Sequence, residues 1–174
     1  MRVLAVIGAL AIVAALGAMV FLLGGYFDVA TGWEDPPPVK AVVARIREAS
    51  IARHATDAPP ADLGSETRVK AGARAFATLG CVNCHGAPGV KWQKFSEGMN
   101  PDPPDLKEVV GELSPPKVFY VVKNGIRMTG MPGFSGAASD DELWSLVSYL
   151  KKLPDVSEAD YKNWTMPAAE PAKQ

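Results

Sequence analysis

The sequence predicts an all-α protein, with one membrane-spanning helix at its N-terminus and then a small helical domain threaded by long loops rich in glycine and proline. Three observations predict it. Residues Val3 to Leu23 carry no charged or strongly polar side chain, and about 20 apolar residues in a helix cover the roughly 30 Å hydrocarbon core of a bilayer. Farther along, apolar residues recur at helical spacing in segments that open on serine and close on glycine or proline. No alternating apolar run with a hairpin turn is visible. The chain has 174 residues, 48% of them hydrophobic, and a formal net charge of −1, which suffices for one ordinary domain plus further segments. Such a balance carries no electrostatic footprint for nucleic acid.

In chain order, the apolar run comes first. A cleaved secretory signal has a core of about 7–15 apolar residues followed by small residues at the cut. Here the core is longer, and GGYFDVATGW offers only Ala30, with Asp28 where a small residue is wanted. Residues 1–27 therefore read as a retained transmembrane anchor rather than a cleaved signal. Arg2 and the N-terminal amine precede the span while Asp28, Glu34 and Asp35 follow it, so the N-terminus is expected in the cytoplasm and the remainder outside.

Residues 28–64 follow as a stalk and a basic helix. The three prolines of GWEDPPPV favour a stiff, extended spacer. From Val39 to about Ala55, Val39, Val42, Val43 and Ile46 share one helical stripe, with Lys40, Arg45, Arg47 and Arg53 elsewhere. This helix reads as amphipathic, packed on its own domain or a partner, or else lying on anionic lipid. DAPPADLGS reads as a second linker.

The domain itself is expected over residues 65–153. Ser65 is a candidate N-cap for a helix with Val69, Gly72, Ala73 and Phe76 at helical spacing, ending near Gly80. Ser114 with Pro115 and Pro116 opens a shorter helix that Asn124 and Gly125 end. SDDELWSLVSYLKKL is the clearest helix: Ser139 and Glu142 form a capping box, acidic residues fill the first turn, Leu143, Leu146, Val147 and Leu150 line one face, Lys151 and Lys152 close it, and Pro154 stops it. Residues 154–174 read as a surface extension fading into disorder at MPAAEPAKQ. The stretch from Gly86 to Leu113 holds much irregular chain for a compact domain, as though a large apolar cofactor supplied the missing core.

That expectation meets the segment CVNCHG, which contains the only two cysteines of the chain, Cys81 and Cys84, directly followed by His85. A disulfide between cysteines so close would close a tiny loop and constrain little. A thioredoxin-like dithiol wants a βαβ context, which is absent, and zinc wants four ligands, whereas the remaining histidine, His54, lies outside the domain. Covalent attachment of a c-type haem remains, with one thioether to each cysteine and His85 placed to bind iron. For the second axial position the candidates are Met99, Met128, Met131 and Met166. Met131 stands out because Gly130 and Pro132 in GMPGF frame it in a stiff loop. His54 reads instead as a surface histidine.

Over about residues 65–153, on the paired motifs CVNCHG and NGIRMTGMPGF, the sequence resembles a class I c-type cytochrome, of the membrane-anchored monohaem type of proteobacterial respiratory chains. The resemblance implies the class I cytochrome c fold, with a few helices wrapped around one covalently bound haem c. It implies attachment at Cys81 and Cys84, His85 and Met131 as iron ligands, the Pro104 carbonyl as acceptor for the free ring N–H of His85, and Leu106 packed on the haem. It also implies that the first helix crosses the last at Gly72 and Phe76, facing Tyr149.

Iron filled by His and Met leaves no open site for substrate, so the expected role is one-electron transfer rather than enzymatic catalysis, and no catalytic residues are assigned. The resemblance places the chain in the inner membrane as a single-pass protein with its haem domain in the periplasm. Expected partners are the membrane and redox proteins: a quinol-oxidising complex or periplasmic dehydrogenase on one side and a terminal oxidase or reductase on the other, with the chain as carrier or as a subunit of one of them. The alternative reading is a haem-based gas sensor or small haem enzyme with an open distal site. From Gly64 to Leu153 there are 11 basic and 9 acidic residues, too even for strong overall steering. Lys91, Lys94, Lys117, Lys123 and Arg127 could still form a local ring.

Overall fold

The computed structural model describes residues 2–166, and among these it holds helices and no strand. It divides into two compact units, one up to Glu34 and one from Asp35 on. In the first, α1 (Arg2–Leu23) is apolar from Val3 on, with a mean hydropathy of 2.8, and none of its described residues is buried. Gly24 N–H donates to the Val20 carbonyl at 2.8 Å and Gly25 adopts φ 77°, a left-handed helix end that glycine tolerates without penalty. Tyr26 folds back on Phe21, ring centroids 6.3 Å apart.

The second unit is built on the crossing of α3 (Glu66–Thr78) and α7 (Asp140–Lys152). Both N-termini form as their sequences require. The Ser65 hydroxyl accepts from Arg68 N–H at 3.4 Å, Ser139 accepts from Glu142 N–H at 3.3 Å, and the Glu142 carboxylate returns the bond to Ser139 N–H at 2.8 Å. At the crossing, a Cβ on Gly72 would overlap the Ser145 carbonyl oxygen and lie 2.8 Å from Tyr149 Cβ. Glycine is required there because the backbones touch, which offsets its poor helix propensity. Phe76 then packs on Tyr149 with centroids 5.3 Å apart.

α6 (Pro115–Asn124) begins on two prolines, ends at Gly125 with φ 70°, and buries Val118, Phe119 and Val122. Phe119 stacks on Trp144 of α7 at 4.1 Å, nearly parallel. The apolar stripe read in α7 is accordingly wider than its spacing suggested: every residue from Leu143 to Leu150 is buried. Partners on more than one side explain this. Ser145 and Ser148 survive burial because each donates to the carbonyl four residues back, at 3.0 Å in both cases.

Two segments differ from the expectations above. Residues beyond Pro154 do not form a surface extension: α8 (Glu158–Thr165), capped by Ser157, buries Tyr161 against Tyr149 and half-buries Trp164. Tyr161 and Trp164 share a face three residues apart, a pattern too short to announce a core helix. The part of MPAAEPAKQ after Met166 lies outside the described residues. The compact unit also starts well ahead of Ser65, because α2 (Pro37–His54) packs on α6. The His54 ring stacks on Tyr120 at 6.0 Å, and Leu63 of the second linker packs on the core.

Candidate functional site

The CVNCH segment folds as a tight turn of helix. Gly80, at φ 79°, turns the chain after α3, and α4 (Val82–His85) follows with Cys81 at its N-cap. The amide N–H groups of Cys84 and His85 donate to the Cys81 carbonyl at 3.2 and 3.1 Å, which sets Cys81 one turn before Cys84 and His85. Gly86 (φ 64°) ends the turn, and a Cβ there would lie 3.0 Å from the Val90 carbonyl oxygen. Both thiols are free and half-buried. Burial pushes the Cys81 thiol up to about 11, so it stays protonated at neutral pH.

His85 is oriented from across the loop. Its Nδ1 lies 3.0 Å from the Pro104 carbonyl oxygen, a contact in which Nδ1–H donates and Nε2 keeps its lone pair. Burial lowers the ring's pKa and outweighs the opposing pull of that carbonyl, so the neutral form is favoured. Cys84 and His85 open onto a cleft of about 340 Å³, lined also by Trp92, Ser96, Glu97 and the run Asp102 to Asp105. Leu106 opens α5 (Leu106–Val109) beside it, half-buried against the core, and Asp105 caps that helix by accepting from Lys107 N–H at 2.8 Å.

Met131 lies in a separate loop, outside the residues lining the cleft. That loop is pinned to the end of α6: Ile126 N–H donates to the Met131 carbonyl at 3.1 Å, Met131 N–H to the Thr129 hydroxyl at 3.1 Å, and Phe134 N–H to the Val122 carbonyl at 3.1 Å. Within it the two methionines part company. Met131 is half-buried, whereas Met128 sits at φ 61° with 82% of its surface exposed. Met99 reaches the same loop, its Sδ packed on Gly130.

Sequence reasoning misses the cleft walls. Trp92, Glu97, Asp102 and Asp105 give no periodic signal; an isolated tryptophan in a polar loop is the one hint. Lys123, read as part of a possible ring, is held instead by Asp140 at 2.8 Å and lies over Phe119.

Residues 67–150 match the family model of cytochrome c oxidase, cbb3-type, subunit III. The domain is a class I c-type cytochrome. No curated protein and no solved structure matches the chain. Cytochromes of this class carry covalently bound haem c, and the residues of this domain suit it. Two free thiols stand one turn apart, Cys84 lining the cleft and Cys81 packed on the core, followed at once by an imidazole whose Nδ1 is already engaged and whose Nε2 is available to a metal.

Proposed function

We propose that this protein is a membrane-anchored electron-transfer cytochrome carrying one haem, attached at Cys81 and Cys84 and ligated by His85 and Met131. The observation that carries the reading is the Pro104 carbonyl on His85 Nδ1, 3.0 Å away, because such a contact selects the tautomer and fixes the ring of a metal-binding histidine. Pro104 contributes the acceptor from its backbone, and Leu106 supplies apolar packing next to the ring. Haem iron held by His and Met exchanges single electrons at a raised potential without opening a site for substrate. The chain's own tasks are to hold both ligands, to keep the imidazole neutral, and to leave an edge accessible to partners. Exposed Trp92 and Phe95 beside the cleft suit brief docking over a small interface.

On this reading α1 crosses the inner membrane, with Arg2 inside and the cytochrome domain in the periplasm. Electrons would enter from a quinol-oxidising complex or periplasmic dehydrogenase and leave to a terminal oxidase or reductase. The match to a subunit of a cbb3-type oxidase supports membership of an oxidase complex, while the tether equally suits a carrier searching at high effective concentration.

The test is a redox titration of the full chain in detergent, followed by visible absorption, with and without carbon monoxide. Expected are a one-electron transition, a ferrous spectrum indifferent to carbon monoxide, and haem that resists acid–organic extraction unless Cys81 and Cys84 are both replaced by Ser. A ferrous spectrum that shifts readily with carbon monoxide in the wild type would replace this reading with that of a gas sensor or haem enzyme.

A further inference from the structure

α2 turns an apolar stripe away from its own domain. Val39, Val42, Val43 and Ile46, at i, i+3, i+4 and i+7, are 40–64% exposed, although a helix packed on a core ordinarily hides such a stripe. The half-buried positions of α2 are instead Ala44, Arg47 and Ile51, about 120° around the helix at 100° per residue. The stripe is thus left over after α2 has found its place on α6.

What lies beside the stripe says what covers it. Arg45 flanks it and Arg53 continues it toward the C-terminal end, both exposed, and the helix carries Lys40, Arg45, Arg47 and Arg53 against Glu48 alone. A chain of formal net charge −1 therefore concentrates positive charge on this one helix. Apolar residues bordered by arginines are the composition of a helix lying in a headgroup layer, where the side chains enter the acyl boundary and the guanidiniums meet phosphates. The connection points the same way. Residues 24–36 separate α1 from α2, so the start of α2 stays within about 45 Å of the end of α1 even when fully extended. Tyr26 and Phe27, both exposed, lie in that connection and are of the kind that settles at a membrane interface. A helical protein partner fits less well, since the stripe covers about two turns and a coiled-coil seam is sustained over three or more heptads.

We infer that α2 is a lipid-facing strut, its Val39, Val42, Val43 and Ile46 stripe seated in an anionic bilayer surface with Arg45 and Arg53 on lipid phosphates, giving the cytochrome domain a second hold on the membrane. This rests on α1 being a membrane span. The strut belongs to the domain through α6, where His54 stacks on Tyr120, so seating α2 also restricts how the domain turns toward its redox partners.

The experiment uses the haem-loaded full chain with Ile46→Cys, labelled with an environment-sensitive fluorophore. It is placed in nanodiscs of phosphatidylglycerol or of phosphatidylcholine, each doped with a headgroup-level spin-labelled lipid as quencher. Quenching several-fold greater in phosphatidylglycerol is expected, falling to the phosphatidylcholine level with Arg45→Glu and Arg53→Glu combined, while the haem spectrum stays unchanged. Absence of quenching in both discs, with the chain still incorporated, overturns the strut and leaves the anchor standing. Equal quenching in both lipids overturns the role of the arginines. A label response in detergent that grows with protein concentration assigns the stripe to a second copy instead. Failure of the chain to enter discs of either lipid overturns the anchor, and the strut with it.

Discussion

The Nδ1 of His85 and the carbonyl oxygen of Pro104 lie 3.0 Å apart, joined across a loop whose intervening residues include the cleft walls Trp92, Glu97 and Asp102. Burial holds the imidazole below its ordinary value of 6.5. The neutral ring therefore predominates above pH 6.5 and is lost as the pH falls through the lower folded value. Titration of His85 in the haem-free chain, followed by NMR, should place its midpoint below 6.5. A transition centred at or above 6.5 would contradict the burial argument.

The two methionines of the Met131 loop should differ sharply. Met131→Ala is expected to abolish the methionine-to-iron charge-transfer band of the oxidised protein, to lower the midpoint potential and to admit carbon monoxide to the reduced iron. Met128→Ala, on an exposed side chain at φ 61°, should leave spectrum and potential as they were. The reverse pattern would move the ligand to Met128.

Gly72→Ala forces a methyl into the Ser145 carbonyl and against Tyr149. Overpacking of this kind is expected to cost about 2–3 kcal/mol, read as a lower urea midpoint with the haem spectrum retained below the transition. A neutral result would mean that α3 and α7 separate without penalty.

Tyr149 and Tyr161 are in contact, yet losing the hydroxyl of the first and the ring of the second should have different consequences. The Tyr149 hydroxyl is buried with no hydrogen-bond partner among the described residues, so Tyr149→Phe is expected to be neutral or to stabilise by about 1 kcal/mol. Tyr161→Ala takes a buried ring off the core and should cost about 3 kcal/mol. Denaturation of both variants beside the wild type decides the matter, and a harmless Tyr161→Ala would return α8 to the status of an appendage.

Much of this protein is legible in its amino-acid sequence, and the legible parts share a cause. The CVNCH turn, the Ser139 capping box and the apolar run of α1 are each set by residues within a few positions of one another, so their chemistry is written locally. The crossing at Gly72 is legible as well, through the resemblance, although the closeness of the backbones that demands glycine appears only when α7 is in place. α8 and the width of the buried face of α7 are not legible, because one turn of apolar side chains looks the same whether or not a neighbour covers it.

By itself the sequence determined the helical class of the fold, the CVNCHG motif on which the proposed attachment at Cys81, Cys84 and His85 rests, and the presence of an apolar segment long enough to cross a bilayer. Tertiary structure alone decided that Pro104 reaches His85, that Met131 is half-buried while Met128 points outward, that Tyr161 joins the core, and which face of α2 remains exposed. Each of these depends on which distant segment comes to lie alongside, and burial, unlike capping or periodicity, is a property of the neighbour as much as of the residue.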